Sequence, residues 1–320
     1  MKNILITGGS GYFGSKLAQR FCAMEGVERV VSLDIKAPAA TPEKLLFVRA
    51  DARQPLDDIF AENGIDTVVH AAWVLPPIHD KGLMEDINLG GTTNVLEASR
   101  RAGARRFFYT SSATAYGFHA DNQCPLTEDS PLRGNDDFTY SKTKRIVEGL
   151  IAEFAARNPA MAVCWARPCF VVGPGFNNPL ARHLQKRLAV LPRPSAAMQF
   201  VHEDDLTRAI VELLRAGARG PYNVGASGVM TTSEMVRALG GRPLPVPVGL
   251  LRPLNALAWA LRLGFITEFP SPALKLMQHP WVVDSGKLER ELGFAYAHDT
   301  RQAFAAFAEH VKAGRKKRRS

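Results

Sequence analysis

Asn3-Ile4-Leu5-Ile6-Thr7-Gly8-Gly9-Ser10-Gly11-Tyr12-Phe13-Gly14 joins an apolar run to a glycine-rich turn and then to an amphipathic stretch. The run predicts a strand over Asn3–Thr7, and apolar residues at helical spacing predict a helix over 12–24. G-x-G-x-x-G is weak alone but here sits between a strand and a helix. The first glycine permits a tight turn, the second lets backbone approach a pyrophosphate, and the third lets helix and strand pack closely. The helix N-terminus adds free N–H donors and a positive dipole end. Gly8, Gly11, Tyr12, Phe13 and Gly14 are therefore expected around a dinucleotide. Asp34 closes the next expected strand, Arg29–Asp34, twenty positions past Gly14. A carboxylate there can accept from the adenosine ribose hydroxyls and repel a 2′-phosphate, favouring NAD over NADP, although Lys36 softens the repulsion. Asp51, followed by Ala52, is a candidate acceptor for the adenine amino group, with a solvated loop carboxylate as the alternative.

Working outward, strand-like runs recur at 45–50, 67–71, Arg106–Thr110 and 161–166, with helical stretches at 83–102 and 138–157. Strands alternating with helices imply β-α-β units. The expected fold is α/β, a doubly wound parallel sheet of Rossmann type with a smaller C-terminal substrate-binding lid. Past Pro168 the alternation breaks up, and residues 244–280 are rich in Pro, Leu and Trp around a helix-like core at 254–263. The expected division is an NAD-binding domain over 1–172 with a returning segment 198–225, a lid over 173–197 and 226–314, and a basic tail over 315–320.

The chain has 320 residues, 46% hydrophobic and 22% charged, as in ordinary globular proteins. Its N-terminus shows no signal-peptide pattern, and its four cysteines form no C-x-x-C pair. A reduced cytoplasmic setting without a metal site is expected. The net charge is +9, but the five cations from Arg315 to Arg319 account for the excess over +4, so the bias sits in a tail and not in a nucleic-acid groove.

Tyr140-Ser-Lys-Thr-Lys144 places a phenol and an ammonium one helical turn apart. A nearby cation lowers a tyrosine pKa, which would suit Tyr140 to acid–base work on an alcohol or carbonyl. Tyr109-Thr110-Ser111-Ser112-Ala113-Thr114-Ala115-Tyr116-Gly117 puts hydroxyls at the carboxyl end of a strand, where ligands bind. With Thr7-Gly8-x-x-Gly11-x-x-Gly14, His70-Ala71-Ala72, Asn88-x-x-Gly91-Thr92-x-Asn94 and Arg167-Pro168, the chain resembles the extended short-chain dehydrogenase/reductase family of NAD-dependent epimerases and dehydratases. Gly173-Pro174-Gly175, 200–205, 221–225 and 287–293 extend the resemblance over nearly the whole length. The resemblance implies that Ser112 positions the reacting oxygen, Tyr140 moves the proton, and Lys144 binds the nicotinamide ribose and keeps Tyr140 acidic. It also implies that Ala71, Ala72, Asn88, Thr110, Pro168 and Phe170 surround the cofactor. A homodimer is implied through the helices at 83–102 and 138–157. His202 is read as a fold-stabilising residue.

The substrate is less legible. Ala113 and Thr114 replace the Asp-Glu pair of the family's 4,6-dehydratases, whereas Ser112-Ala-Thr-Ala-Tyr-Gly117 is close to the 4-epimerase pattern. A nucleotide-sugar epimerase-like alcohol–carbonyl interconversion is therefore the first reading, with Trp73, Thr114, Asn177 and Arg182 as candidate substrate residues. Two arginine positions expected for a nucleotide diphosphate are instead Met198-Gln199 and Gln278-His-Pro-Trp-Val-Val-Asp284, and Arg182, His183, Lys186 and Arg187 are the candidates to compensate. The greasy lid and Trp73-Val-Leu-Pro-Pro77 suit a second reading, a dehydrogenase/reductase for a less polar, sterol- or flavonoid-like alcohol or ketone. The lid helix with the basic tail is also compatible with membrane-surface contact. From another class, a catalytically silent dinucleotide-sensing protein remains an alternative, disfavoured by the intact Tyr140–Lys144 pair.

Overall fold

A computed structural model describes residues 1–74 and 81–317. Leu75, Pro76 and Pro77 of the greasy segment, and Arg318 to Ser320 of the tail, lie outside the described residues. Seven strands form one parallel sheet: β1 (Asn3–Thr7), β2 (Arg29–Asp34), β3 (Leu45–Arg49), β4 (Thr67–His70), β5 (Arg106–Thr110), β6 (Ala162–Pro168) and β7 (Gly220–Val224). Their spatial order is β7-β6-β5-β4-β1-β2-β3, with every neighbouring pair parallel. The chain therefore reverses its direction of winding between β1 and β4, the place where open sheets of this kind leave a crevice at their carboxyl ends.

The sheet's period of two sorts its apolar residues into two cores. Ile4, Ile6, Val30, Val69 and Phe108 pack on one face against Leu17 and Phe21 of α1 (Tyr12–Cys22) and against Leu206 and Ile210. Leu5, Val31, Val68, Phe107 and Val163 pack on the other, against Phe60 of α2 (Asp57–Asn63), Val95 of α3 (Gly91–Arg101), and Val147, Ile151 and Phe154 of α4 (Thr139–Arg157). Leu206 and Ile210 belong to α5 (Glu203–Ala216), which His202 begins by accepting a hydrogen bond from the Asp204 N–H.

The single helix expected over 83–102 has three parts: Lys81–Glu85, a wide π turn over Asp86–Gly90, and α3. Within the π turn, the Asn88 carbonyl accepts from the Thr92 hydroxyl (2.6 Å), and Asn88 Oδ1 accepts from the Val74 N–H (3.0 Å). These bonds tie the turn to the chain leaving β4.

The smaller part is built from Pro179–Leu184, the parallel pair Leu188–Arg193 with Arg242–Pro247, the helix Val248–Ala260, and the turns Ser271–Leu274 and Lys275–Gln278. Its helix starts before the expected 254 and stops before 263, because Arg262 at φ +56° turns the chain out of helical geometry. Thr300–Lys317 closes the fold, burying Phe304 and Phe307 in the first core. No described helix is long and apolar enough to cross a membrane.

Candidate active site

The glycine turn is closed to side chains. Gly8 has φ +68°, and a Cβ there would lie 2.7 Å from the Ala72 backbone; a Cβ on Gly14 would lie 2.1 Å from the Gly8 carbonyl oxygen. The Gly11 N–H donates to the Gly8 carbonyl (3.0 Å), which fixes the turn. Gly11 brings no side-chain acceptor to the start of α1, so the donors of the first turn have no side-chain cap. Asp34 braces the same turn: Oδ2 accepts from the Ser10 N–H (3.1 Å) and Oδ1 from the Lys36 N–H (3.0 Å).

Beyond this turn opens a cavity of about 600 Å³. Gly8, Gly11, Tyr12, Phe13 and Gly14 form one end, and Ser112, Thr114, Tyr140, Lys144, Trp73 and Asn177 are also in its walls. Ala71, Thr110, Pro168 and Phe170 complete the span between the two groups. Asp34, Asp51, Ala52, Ala72, Asn88 and Arg182 stand outside these walls. The Asp51 carboxylate is held by Arg53 (2.6 Å), which pulls its pKa below the usual carboxylate range; Arg53 also reaches Asp86. The Ala52 carbonyl accepts from Asn94 (2.7 Å), and the Ala72 N–H donates to the Thr7 hydroxyl (3.3 Å).

Helix α4 starts at Thr139, so Tyr140 and Lys144 lie on successive turns of one face, as the sequence predicts. Lys144 is 2% exposed. Its Nζ donates to the Thr110 carbonyl (2.8 Å) and the Tyr109 hydroxyl (3.0 Å), and lies 3.4 Å from the Trp73 ring centre. The indole thus caps the ammonium with its negative face. Burial pushes the Lys144 pKa well below the usual lysine range, and the nearby Glu148 carboxylate opposes that shift. Burial likewise pushes the Tyr140 phenol up to about 12, with the hydroxyls of Ser112 and Thr114 pulling it back. This corrects the expectation that Lys144 keeps Tyr140 acidic: the ammonium lies 5.9 Å from the phenol ring centre, and desolvation outweighs it. Ser112 Oγ accepts from the Thr114 N–H (3.2 Å), while Trp73 Nε1 is buried with no partner among the described residues and Thr114 Oγ1 faces none but the Tyr140 phenol.

Two buried polar groups supporting this shelf escape a motif-level reading. Glu148 accepts from Trp165 Nε1 (2.7 Å), Arg167 Nε (2.8 Å) and the Ser111 hydroxyl, locking α4 to β6 and to the strand end that carries Ser112. The available signal was its position one turn past Lys144 on the same helix. His70 joins Thr7 (Nδ1, 2.7 Å) to Thr92 (Nε2, 2.9 Å), and burial pushes its pKa down to about 3. Thr7, His70 and Thr92 are far apart in sequence; the β1–β4 register sets Thr7 opposite His70, and the packing of α3 brings Thr92 to them.

The far end of the cavity is aromatic. Trp281, 3% exposed, packs against Phe170 (ring centres 5.7 Å) and Phe118 (5.3 Å), and Phe138, Phe176 and Met277 extend this wall. None of the four basic candidates lines the cavity, and three are engaged elsewhere. Arg182 pairs with Glu268 and donates to Asn177, His183 meets the Val190 carbonyl (2.7 Å), and Lys186 donates to the carbonyls of Phe265 and Ile266. Gln199 is buried in bonds to the backbone of Ala226 and Val283. Lys144 is the only charged side chain among the described residues lining the cavity.

Known proteins share this architecture. Short-chain dehydrogenase/reductase family 42E member 1 of Bos taurus is 33% identical over 271 residues, covering 74% of this chain and 66% of that protein. UDP-glucose 4-epimerase 2 of Oryza sativa subsp. japonica is 26% identical over 306 residues, 80% of this chain and 74% of that one. The crystal structure of dTDP-glucose 4,6-dehydratase from Bacillus anthracis in complex with NAD superposes with a TM-score of 0.78 at 17% identity, covering 99% of this chain and 98% of that one. The profile of the NAD dependent epimerase/dehydratase family matches residues 4–225, and the chain belongs to that family of NAD-dependent enzymes.

Proposed function

We propose that this chain interconverts a secondary alcohol and a ketone with NAD, and that its substrate is weakly polar and not a nucleotide sugar. The observation that carries the reading is the cavity wall: Ser112, Tyr140 and Lys144 share it with the glycine turn, and no other charged side chain does among the described residues. A sugar nucleotide brings two phosphates, which sites ordinarily meet with arginine or lysine. Here Trp281 lies in the wall within the segment where the family resemblance anticipates an arginine.

The residues present fit the dinucleotide. The turn admits no Cβ at Gly8 or Gly14, the start of α1 is uncapped, and Asp34 sits at the end of β2 to receive ribose hydroxyls. NAD, when bound, supplies the hydride acceptor or donor. Tyr140 would give its phenolic proton to the developing alkoxide in the reductive direction and take it back in the oxidative one. Ser112 Oγ would hold the reacting oxygen beside that phenol, and Lys144 would hold a ribose hydroxyl and stabilise the phenolate. Burial penalises an isolated phenolate and an isolated ammonium alike, so bringing the two charges together offsets part of each penalty. Thr114 Oγ1, buried beside the Tyr140 phenol and with no other partner among the described residues, is available to a substrate hydroxyl or carbonyl. The homodimer through the helical stretches 83–102 and 138–157 is part of this proposal, with light scattering as its check.

The test is reduction of NAD by the purified protein with sterol- and flavonoid-like secondary alcohols, in parallel with conversion of UDP-glucose. NADH formation from an apolar alcohol supports the reading. Conversion of UDP-glucose to UDP-galactose would establish the epimerase alternative, which the 4-epimerase-like Ser112–Gly117 stretch and the Oryza sativa relative favour. NAD binding without any hydride transfer would leave a sensing role.

A further inference from the structure

We propose that the face presented by Val248–Ala260 and the turn after it docks on an anionic lipid bilayer. Leu250, Leu254, Leu257 and Leu261 recur at i, i+4, i+7 and i+11, a single stripe, and are 62%, 64%, 58% and 60% exposed. Phe265 (78%) and Ile266 (48%) continue it beyond the helix. The helix is held in this orientation by its other side. Ala258 is buried, Leu251 packs on the core, and Asn255 Nδ2 donates to the Phe269 carbonyl (3.1 Å). The exposed stripe is thus a surface feature and not a core face left open.

Charge around the stripe selects the partner. Between residues 241 and 283 the sequence holds Arg242, Arg252 and Arg262, together with Lys275, which Asp137 pairs (2.7 Å), against a single carboxylate, Glu268, which Arg182 occupies. Lys186 lies under the turn, donating to the Phe265 and Ile266 carbonyls (3.5 and 3.3 Å). Next to it, the Gln185 carbonyl accepts from Arg315 (2.7 Å), bringing the basic end of the last helix to the same border. An apolar centre with a cationic rim matches the boundary between acyl chains and anionic headgroups. A second copy of the chain would set these cations against each other across a two-fold axis, which charge complementarity disfavours. The segment after the turn contributes Phe269, Ala273 and Leu276 to the cavity wall, so the docked face lies beside the cavity. The proposal goes beyond the reaction and stands whichever substrate is found.

The experiment is co-sedimentation of the full chain with vesicles of phosphatidylcholine and phosphatidylserine, and with phosphatidylcholine alone, at low and high salt. The expected result is binding to the anionic vesicles that weakens with salt. Leu254→Glu/Leu257→Glu should lose at least about tenfold in affinity by removing the apolar contact. Arg252→Glu/Arg262→Glu should lose about tenfold or more through charge alone. Unchanged circular dichroism of both variants confirms their folding. No binding to either vesicle, equal binding by the variants, or a dimer that Leu254→Glu/Leu257→Glu converts to monomer would overturn the proposal.

Discussion

Replacing Glu148 with Gln tests whether the shelf under the active site depends on one buried charge. Glu148 and Arg167 are 1% and 4% exposed, and the carboxylate meets the guanidinium at 2.7 Å while also accepting from Trp165 and Ser111. Glutamine keeps the size but turns an amide N–H₂ or a weaker oxygen toward the Arg167 donors, leaving a cation buried without its anion. Breaking such a pair from one side costs about 3–5 kcal/mol. With about 2.1 cal/mol/K of unfolding entropy per residue, that loss lowers Tm by about 4–7 °C for a chain of 320 residues. Calorimetry, with urea unfolding alongside, measures it. A second readout follows from Lys144, whose proton Glu148 helps retain. Without that carboxylate the lysine pKa falls further, so the alkaline limb of activity moves to lower pH. The double variant Glu148→Leu/Arg167→Met should recover part of the lost stability, because apolar packing replaces a desolvated pair while Trp165 Nε1 and the Ser111 hydroxyl lose their acceptor. A single-variant loss below about 1 kcal/mol would refute the reasoning.

Gly14→Ala should weaken NAD binding by about a hundredfold or more, because its Cβ would lie 2.1 Å from the Gly8 carbonyl; isothermal titration checks it, and unchanged affinity would mean that the turn can relax. His70 is buried neutral with its pKa pushed down to about 3, so the unfolded chain binds the extra proton first as pH falls from about 6.5. Stability should therefore drop by about 2 kcal/mol between about pH 7 and about pH 5 on this account, and His70→Gln should remove that part of the slope in urea titrations. Of the four free cysteines only Cys124 is exposed, so one thiol should react promptly in the native protein and the other three only on unfolding.

Much of the nucleotide end was legible because its constraints are local. The turn needs glycines at fixed offsets, and the strand–helix period places Asp34, Tyr140 and Lys144 without knowledge of the rest. The parallel sheet was also traceable from alternating strands and helices. The acid–base balance was not, since it depends on how thoroughly the fold removes water from Tyr140 and Lys144. Trp73 sits on the ammonium only because the chain leaving β4 passes over α4. Arg182 looked available for a phosphate, yet its partner Glu268 is 86 positions away. The aromatic wall at Trp281 appeared in the sequence merely as a departure from an arginine-bearing segment. Spacing cannot show which cations are already paired.

The role proposed for the Tyr140 phenol is to exchange a proton with substrate beside bound NAD. Its most direct test is Tyr140→Phe, assayed in a single turnover with saturating NAD and an alcohol that the native protein oxidises. NADH absorbance reports the hydride, and isothermal titration reports NAD binding. Hydride transfer should fall by about a hundredfold or more while NAD affinity stays within about threefold. Hydride transfer at the native rate in Tyr140→Phe would contradict it.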